Sequence, residues 1–386
     1  MERAYLVAVA MKGRHAAWNS QSSLEELTLL ADTAGALVVG RTVQRLESPS
    51  PAHYIGKGKL EEVVALRQQL GYTVVIFDDE LTPSQQRNLE NALKVKVLDR
   101  TALILDIFAQ HASTKEGRLQ VELAQCQYLL PRLAGQWSHL ERLEGRIGTR
   151  GPGETQLETD RRLVRNKIHR LKGQIEQVRQ HRALYRRRRQ RQGMAVVSLV
   201  GYTNAGKSTL MRTLSGADVL VEDKLFATLD PVTRRVVTPS GAAFLLTDTV
   251  GFIQKLPAQL VAAFHATLEE MEEADLLLHV VDITHPNAAE QSQTVEETLA
   301  RLGMGDKPRL TVLNKVDRLT HSDGQPIGEL GELREFQPSL QYWRPDAVLA
   351  SAAKGWGLAE LLERIEGWLV GRRAEAVAAR RRVVAG

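Results

Sequence analysis

The feature that most constrains this chain of 386 residues is a glycine-rich run that directly follows an apolar segment. Residues 195–200 predict a strand and residues 208–214 predict a helix, so the run between them fits a phosphate-binding loop. Such a loop turns backbone N–H groups toward anionic oxygens at the positive end of a helix dipole. The sequence therefore predicts a nucleoside triphosphate site formed by Gly201, Tyr202, Thr203, Asn204, Ala205, Gly206, Lys207 and Ser208.

Specific roles are expected for several residues of this site. Lys207 is expected to reach the β and γ phosphates, and the hydroxyl of Ser208 is expected to bind Mg²⁺. Further along, an apolar strand over 243–246 leads to Asp248, whose carboxylate can hold Mg²⁺ through water. The N–H of a following glycine can sense the γ-phosphate. This second switch comprises Asp248, Thr249, Val250 and Gly251.

A first switch is predicted between the phosphate loop and Asp248. Thr228 can offer its hydroxyl to Mg²⁺ and its N–H to the γ-phosphate. A lone threonine in a loop is usually a turn or capping residue, but the order of the neighbouring motifs favours the switch. The segment comprises Phe226, Ala227, Thr228, Leu229 and Asp230.

Base recognition is predicted from a motif that follows the apolar strand over 310–313. The carboxylate of Asp317 can accept from both N1–H and the 2-amino group of guanine, whereas adenine offers neither donor. A second, weaker motif follows the apolar run over 347–350 and fits the outer base-contacting loop of such domains. Residues 194–370 are therefore interpreted as a Mg²⁺-dependent GTP-hydrolysing domain. The base-contacting residues are Asn314, Lys315, Val316, Asp317, Ser351, Ala352 and Ala353.

Phe252 occupies the position after Gly251, where many GTPases of the Ras type place a glutamine that orients the attacking water. Phenylalanine cannot orient water, and it can equally be a core anchor. No residue is therefore assigned as the catalytic one, although Thr228, Gly251 and Lys207 are expected to assist. Water positioning is left to a partner or to a monovalent cation, since Asn204 occupies the loop position that binds K⁺ in some relatives of this domain. We expect slow turnover alone and acceleration by a large partner.

Composition limits the class of protein. The chain is 43% hydrophobic and 25% charged, which is enough for two or three domains with apolar cores. No apolar run approaches the length of a membrane span, and the first residues do not read as a signal peptide, so a cytoplasmic protein is expected. The single cysteine, Cys126, excludes internal disulfides and thiolate metal clusters and is expected on the apolar face of a helix.

The positive charge is concentrated in one region. The whole chain carries +5, but residues 111–193 carry +11 and the remainder −6. The excess peaks in Arg182, Arg186 to Arg189 and Arg191. A solvated helix surface is the plain interpretation of an arginine run, but an imbalance over some 80 residues favours contact with nucleic-acid phosphates and a salt-sensitive affinity.

The first part of the chain alternates strand-like and helix-like segments. Strands are predicted over 4–11, 36–44, 72–77 and 95–98, and helices over 24–34, 59–70, 83–93 and 102–110. This alternation favours a small α/β domain with a mainly parallel sheet. The run from Gly56 to Lys59 could be a second phosphate-handling turn or, more simply, a helix entry with solvated lysines.

The middle of the chain predicts two long helices, over 117–145 and 157–192, which form an antiparallel hairpin. The connecting loop from Gly145 to Thr155 contains four glycines, one proline and two arginines, which makes a flexible cationic tip suited to close approach to RNA. The predicted fold class is α/β, with a helical hairpin between two α/β domains. The predicted domains are an N-terminal α/β domain (1–112), a basic antiparallel helical hairpin with a Gly-rich tip (113–193), a Ras-like P-loop GTPase domain with a mainly parallel sheet flanked by helices (194–370) and an Arg-rich tail (371–386).

The chain resembles the HflX GTPases, which belong to the OBG-HflX-like translation GTPases. The resemblance rests on the run from Arg150 to Glu158, on Gly56 to Leu60, on Phe226 to Asp230 and on Asp248 to Phe252, and it extends from about Tyr5 to Leu369. It implies a cytoplasmic GTPase that binds the large (50S) ribosomal subunit, its rRNA and its proteins. It also implies that the protein helps the subunits of stalled or idle ribosomes to separate, particularly under stress, with the hairpin tip near the peptidyl-transferase region.

Two departures from the family pattern affect these expectations. Ala353 stands where many GTPases have lysine, so its base contact is expected through the backbone. Some members carry a further C-terminal domain, whereas this chain has a short Arg-rich segment after Gly371. Adenine-nucleotide use through the N-terminal half, credited to some members, is fixed by no residue here. A monomer is expected off the ribosome. The alternative function is a regulatory switch that controls a protein partner through its helical hairpin.

Overall fold

A computed structural model describes residues 2–12, 20–133, 152–191, 194–216, 225–257, 265–321, 323, 325–335, 343 and 346–385. The chain divides into two compact units. The first comprises Met1–Arg182 and Lys255–His265, and the second comprises Ala183–Gln254 and Ala266–Gly386. The predicted fold class is confirmed, because both units contain a mainly parallel sheet flanked by helices.

The first unit is built on a four-stranded parallel sheet in the order β2-β1-β3-β4. Its apolar core includes Tyr5, Val75, Phe77 and Leu89, all of which are buried. The alternation predicted from the sequence is confirmed, and the predicted bounds differ from the observed ones by up to four residues at an end. The elements are β1 Arg3–Met11, α1 Ser20–Thr33, β2 Leu37–Leu46, α2 Lys57–Leu70, β3 Val74–Phe77, α3 Pro83–Leu93, β4 Lys96–Asp99 and α4 Arg100–His111.

Local sequence explains where these helices begin and end. Helix α3 starts with Pro83 in its first turn and with a capping box, in which the Thr82 side chain accepts from the Gln85 N–H and the Gln85 side chain reaches back to Thr82 N–H. Helix α2 ends at Gly71, whose φ of 59° lies in the left-handed region that glycine adopts without a steric penalty. The run predicted at Gly56 to Lys59 is this helix entry, with Gly56 at the N-cap.

Buried ion pairs lie at the carboxyl end of β3. The Arg100 guanidinium, which is almost completely buried, pairs with Asp78 at 2.8 Å and also with Glu26. Lys255 pairs with the same Asp78 and with Asp79. Burial acts to raise the pKa of Asp78, but Arg100 and Lys255 outweigh it and hold that pKa below its ordinary value. The Asp78 carboxylate is therefore charged and paired at neutral pH.

The helical hairpin is formed by α5 (Lys115–Leu129) and α6 (Pro152–Arg191). Glu116 near the start of α5 pairs with Arg182 near the end of α6, and Glu122 pairs with Lys167, so the two helices run antiparallel. A small apolar cluster fills the seam between them, and Cys126 is part of it as predicted for a helix-face residue. The cluster comprises Leu119, Leu123, Cys126, Val164, Ile168, Leu171 and Ile175.

Two details of the predicted hairpin differ from the structure. Within the helix predicted over 117–145, α5 ends at Leu129 and a turn follows through Pro131 and Arg132, while residues 134–145 lie outside the described residues. The loop predicted to extend to Thr155 is already helical from Pro152, because proline fits the first turn of a helix. The glycine-rich residues 145–151 lie outside the described residues.

The second unit contains a six-stranded sheet in the order β10-β9-β8-β5-β7-β6. All neighbouring strands are parallel except β6, which pairs antiparallel with β7. The sequence had not indicated β6 or β8, because neither strand carries a nucleotide motif. The strands are β5 Ala195–Gly201, β6 Val232–Val237, β7 Ala243–Asp248, β8 Leu276–Asp282, β9 Arg309–Asn314 and β10 Val348–Leu349.

Helices cover this sheet, and one of them includes the predicted tail. The helices are α7 Lys207–Ser215, α8 His265–Glu272, α9 Ala288–Arg301 and α10 Leu358–Ala385, with short 3₁₀ helices at Val316–Arg318 and Leu330–Glu335. Leu361, Ile365 and Leu369 fix α10 to the core, and the helix continues through the residues predicted as an Arg-rich tail. Within the described ranges, every helix is too short or too polar to cross a lipid bilayer.

Candidate nucleotide site

A cavity in the second unit lies beyond the carboxyl ends of β5 and β7, where parallel α/β sheets bind their ligands. The segment between β5 and α7 forms one wall, and residues after β7 and before β6 form the others. Residues from three sequence motifs therefore come together at one place. The lining residues are Thr203, Asn204, Gly206, Lys207, Ser208, Thr209, Phe226, Ala227, Thr228, Thr249 and Gly251.

The loop itself is shaped by two backbone positions in the left-handed region. Gly206, with φ of 95°, directly precedes α7, and an added Cβ there would collide with the side-chain nitrogen of Asn314. Asn204 has φ of 59°, a conformation that asparagine tolerates better than most residues. The α7 N-terminus then points its unsatisfied N–H groups at the cavity, as a phosphate requires.

Lys207 is the cation of this cavity, and it is 6% exposed. Its ammonium donates to the carbonyl oxygens of Gly201 at 3.2 Å and Tyr202 at 2.8 Å. The pKa of Lys207 is lowered to about 8, because burial lowers it more than the nearby Asp248 raises it, and Lys315 adds a smaller lowering. A phosphate placed here would favour the charged form of this amine.

Three oxygens converge opposite Lys207. One carboxylate oxygen of Asp248 accepts from the hydroxyl of Ser208 at 2.7 Å and from that of Thr228 at 3.0 Å, and the two hydroxyls lie 2.8 Å apart. Burial raises the pKa of Asp248 despite these bonds and the nearby Lys207. The other oxygen, Oδ1, is buried and has no hydrogen-bond partner among the described residues.

This oxygen set fits Mg²⁺. Hydroxyl, carboxylate and water oxygens are the ligands that Mg²⁺ prefers, usually together with phosphate oxygens. The buried Oδ1 of Asp248 and the buried hydroxyl of Thr203 both lack partners in the described part of the chain, so the site contains polar groups suited to a bound ion and its water. A divalent cation there would also lower the pKa of Asp248 and so offset the rise that burial causes.

The second switch lies directly on the phosphate loop. A Cβ added to Gly251 would come within 2.7 Å of the Cα of Thr203 and 3.0 Å of the Lys207 ammonium, so a side chain at this position would crowd both. Phe252 is 4% exposed and is hydrogen bonded to the loop through its backbone. The ring is a buried core residue, which agrees with the plainer of the two sequence interpretations.

The base-recognition motif lies beside the loop on β9. The Asn314 side chain donates to the Ala205 carbonyl at 2.8 Å and accepts from the Ala352 N–H at 3.0 Å, so one amide ties three segments together. Lys315 forms an ion pair with Asp282 at 2.7 Å. Asp317 is half-buried and makes no hydrogen bond or ion pair with the described residues, which leaves its carboxylate available to guanine.

The outer base loop is supported differently. Ser351 is completely buried, its backbone N–H donates to Trp356 O at 3.0 Å, and its hydroxyl accepts from the Lys354 N–H at 3.1 Å. The Ala352 carbonyl accepts from the hydroxyl of Thr213 at 2.8 Å. Ala353 is exposed. This loop therefore offers backbone groups and no charged side chain of its own.

Some predicted site residues have buried side chains that face the core. These are Phe226, Leu229, Val250 and Val316. Asp230 lies at the end of the first switch and does not line the cavity. Sequence reasoning missed Asp282, the partner of Lys315, and Thr209 on α7. Asp282 ends β8, a strand that carries no motif, so only the adjacency of β8 and β9 identifies it.

Three protein families match successive parts of the chain. Residues 21–109 match "GTP-binding GTPase N-terminal", residues 111–189 match "GTP-binding GTPase Middle Region", and residues 196–315 match "50S ribosome-binding GTPase". The third match contains the phosphate loop, both switches and the start of the base-recognition motif. The arrangement of these groups and the family match identify a P-loop GTPase domain that binds GTP and GDP and hydrolyses GTP.

Curated relatives agree over most of the chain. A protein named GTPase HflX from Caldanaerobacter subterraneus is 54% identical over 82% of this chain and 73% of its own length. The proteins of that name from Lacrimispora saccharolytica and Escherichia coli are 48% and 43% identical, over 95% and 91% of this chain and 82% and 80% of their own lengths. With such identity over nearly the full length and with three matching domains, the chain belongs to the HflX family of GTPases.

Proposed function

We propose that this GTPase binds the large ribosomal subunit in its GTP state and promotes the separation of stalled or idle ribosomes into subunits. The carrying observation is the basic hairpin, which in the sequence precedes a GTPase domain whose family is described as ribosome-binding. In this proposal the hairpin contacts ribosomal RNA, hydrolysis of GTP releases the protein, and the protein is a monomer off the ribosome. We propose the same domains as the sequence predicts, which are the N-terminal domain (1–112), the hairpin (113–193), the GTPase domain (194–370) and the Arg-rich tail (371–386).

The described part of α6 supports an RNA contact through its charge. Arg162, Arg165, His169, Lys172 and Arg179 are exposed. Successive residues of this set are three or four positions apart, except that Lys172 and Arg179 are seven apart with Glu176 between them. The five side chains therefore lie on one side of the helix. We call these five residues the basic stripe. Phosphates spaced along a nucleic-acid strand suit such a stripe, because each neutralised phosphate releases counterions.

The basic stripe is separate from the surface that holds the hairpin together. Val164, Ile168, Leu171 and Ile175 pack against α5, and Lys167 pairs with Glu122. These residues are offset from the stripe by roughly a quarter of a turn, given 100° per residue. The alternative function, control of a protein partner through the hairpin, would need an unpaired apolar seam. The apolar residues of this seam are already used inside the hairpin.

Within the GTPase domain, we propose the following roles. Lys207 and the N–H groups from Gly201 to Ser208 hold the phosphates, Ser208 and Thr228 bind Mg²⁺ directly, and Asp248 binds it through water. When bound, Mg²⁺ supplies charge neutralisation of the β and γ phosphates. Asp317 accepts from guanine, with Asn314 and the 351–353 loop shaping that pocket.

Hydrolysis in the isolated protein is expected to be slow. Phe252 is buried and has no group that can orient water, so the triphosphate is held without a water-positioning side chain at this position. We propose that the ribosome supplies the missing alignment and that K⁺ beside Asn204 assists. Replacing KCl by NaCl at equal ionic strength should lower the rate of hydrolysis. An unchanged rate would remove K⁺ from the proposal.

Sedimentation with purified ribosomal subunits tests the ribosomal proposal. The protein is mixed with large or small subunits and with GDP, GTP or a non-hydrolysable GTP analogue, and the bound fraction is measured after centrifugation. We expect co-migration with the large subunit in the presence of the analogue and little with GDP. Light scattering of intact ribosomes should fall when the protein and GTP are added, since separated subunits scatter less.

Two matched triple variants locate the contact. Arg162→Ala/Arg165→Ala/Lys172→Ala removes three charges from the basic stripe and should weaken binding about tenfold or more, because several phosphate contacts are lost. Lys12→Ala/Arg41→Ala/Lys57→Ala removes the same charge from exposed sites elsewhere and should bind nearly as well as the wild type. Equal losses in the two variants would indicate unspecific attraction. Equal binding with GDP and the analogue would eliminate the nucleotide switch.

A further inference from the structure

The second switch is fastened to the phosphate loop by hydrogen bonds that do not involve nucleotide. The Thr203 N–H donates to the Phe252 carbonyl at 2.8 Å, and the Phe252 N–H donates to the Gly201 carbonyl at 3.0 Å. A third bond follows two residues later, where the Gln254 N–H donates to the hydroxyl oxygen of Tyr202 at 2.9 Å. The first two bonds are between backbone groups, so any residue other than proline could make them. The third requires the tyrosine hydroxyl.

Tyr202 is well placed for such a role. It is 4% exposed, and it immediately follows Gly201, the last residue of β5. Its backbone pairs with that of Phe252 in an isolated parallel bridge. The residue therefore contacts the second switch twice, through its main chain at Phe252 and through its side chain at Gln254. A loop N–H removed from water needs such an acceptor, since an unpaired one costs free energy.

The position of this backbone matters for hydrolysis because of what Phe252 lacks. In a GTPase with a glutamine at this position, a side chain can adjust to the attacking water. Here the second switch offers the γ-phosphate its backbone, above all the N–H of Gly251, which lies between Asp248 and the fastened residues. Small errors in the placement of such groups reduce catalysis strongly, because the alignment of reacting atoms is what the protein supplies.

We propose that Tyr202 is a positioning residue for GTP hydrolysis, which acts by holding the backbone of the second switch against the phosphate loop through its hydroxyl. The Tyr202 hydroxyl acts through Gln254 and Gly251 and does not itself touch the reacting atoms. GDP lacks the γ-phosphate, so its binding does not depend on this placement. Binding of the triphosphate and its hydrolysis do depend on the placement of this backbone. The proposal concerns the GTPase reaction alone and is independent of the ribosomal partner.

The variant Tyr202→Phe tests this directly, because it removes the hydroxyl oxygen and keeps the buried ring. We expect kcat for GTP hydrolysis to fall about tenfold, because the net free energy of one hydrogen bond corresponds to roughly that factor in rate. We expect the Kd for GDP to stay within about twofold of the wild type and the Kd for a non-hydrolysable GTP analogue to rise severalfold. A residue with a merely structural role would weaken the two nucleotides equally.

Tyr72→Phe is the matched control. Tyr72 is 2% exposed, and its hydroxyl donates to the Val63 carbonyl at 2.7 Å within the first unit, so the variant loses the same atom far from the nucleotide motifs in sequence. It should keep the wild-type kcat. Hydrogen exchange measured by mass spectrometry provides a second readout, since the amide of Gln254 should exchange faster only in Tyr202→Phe.

Three results would overturn the proposal. The first is an unchanged kcat in Tyr202→Phe, and the second is an equal rise in Kd for GDP and for the analogue. The third is unchanged exchange around Gln254 despite slower turnover, which would place the effect of the hydroxyl elsewhere.

Discussion

Lys207 is almost completely buried, yet its proposed role in holding phosphate needs its positive charge. Its ammonium donates to carbonyl oxygens, and desolvation is the largest cause that lowers its pKa to about 8 from an ordinary value of 10.5. A bound phosphate would raise that pKa again, because the negative charge favours the ammonium. Nucleotide binding and proton binding are therefore linked above about pH 8.

This linkage predicts the pH dependence of GDP binding. Below about pH 8 Lys207 is charged before and after binding, so affinity should be nearly independent of pH. Between pH 8 and 9 the free protein loses this proton and must regain it on binding, so the Kd for GDP should rise by up to about tenfold per pH unit.

Calorimetry in two buffers of different ionisation enthalpy measures the proton directly. At pH 8.5 the observed heat should differ between the buffers by an amount that corresponds to uptake of a fraction of one proton, and at pH 7 the two heats should nearly agree. Equal heats at both pH values would show that the Lys207 amine keeps its proton throughout.

At the residue scale, the sequence allowed much of the candidate site to be anticipated. The motifs from Gly201 to Ser208 and around Thr228, Asp248 and Gly251 line one cavity, since short-range patterns fix both the loop and its place at a strand end. Partners set by topology could not be anticipated. The bond from Gln254 to Tyr202 and the pair between Lys315 and Asp282 join residues whose proximity depends on how the chain folds.

At the element scale, the hairpin depends on a small apolar seam. Leu171 on α6 is 1% exposed and packs with Leu123 and Cys126 of α5. Three fully or nearly buried residues make a small cluster, so each contributes a large share of the apolar contact. The seam is the feature that keeps the basic stripe on a rigid support.

Truncation of this seam should loosen the hairpin and leave the nucleotide site intact. Leu171→Ala should lower the stability of the α5–α6 pair by roughly 2–5 kcal/mol, the usual cost of a cavity at a buried leucine. Hydrogen exchange of α6 should accelerate, while the Kd for GDP stays unchanged. The exposed Leu163 on the same helix offers the control, since Leu163→Ala removes the same atoms without creating a buried cavity. Similar exchange in both variants would contradict the role of the seam.

Element bounds were predicted unevenly, for physical reasons. Helix α3 was predicted residue for residue from Pro83 to Leu93 because a proline and a capping box mark its start. The prediction of one helix over 117–145 overlooked Pro131, which has no N–H for the helix and whose ring clashes with the carbonyl four residues earlier. Tertiary contacts also hold the turn that follows Leu129. Those include Arg132, whose side chain donates to Asp99, Gln86 and the Leu81 carbonyl. Strand β8 lacked any motif to draw attention to its apolar run.

At the scale of the whole molecule, the uneven charge has a measurable consequence. Residues 111–193 carry +11 while the remainder carries −6, so attraction to a polyanion is concentrated on one region. Affinity for large subunits should then fall steeply as salt rises. The logarithm of the association constant should decrease linearly with the logarithm of salt concentration, by about 0.7–0.9 for each phosphate contact.

The basic stripe should account for part of that slope. In Arg162→Ala/Arg165→Ala the slope should become less negative by about 1.5, which corresponds to two contacts. Binding is measured by sedimentation at four or more KCl concentrations with the non-hydrolysable GTP analogue. A slope equal to that of the wild type, with or without weaker binding, would place the RNA contact away from these two arginines.

The packing of Cys126 in the hairpin seam makes the natural chain a convenient background for site-directed labelling. This sole thiol is 8% exposed, and burial raises its pKa, so alkylating reagents at neutral pH should meet a slow and largely shielded nucleophile. A cysteine introduced at an exposed site, such as Lys57 or Arg170, would then react with a fluorophore faster than Cys126 does, so Cys126 need not be replaced first.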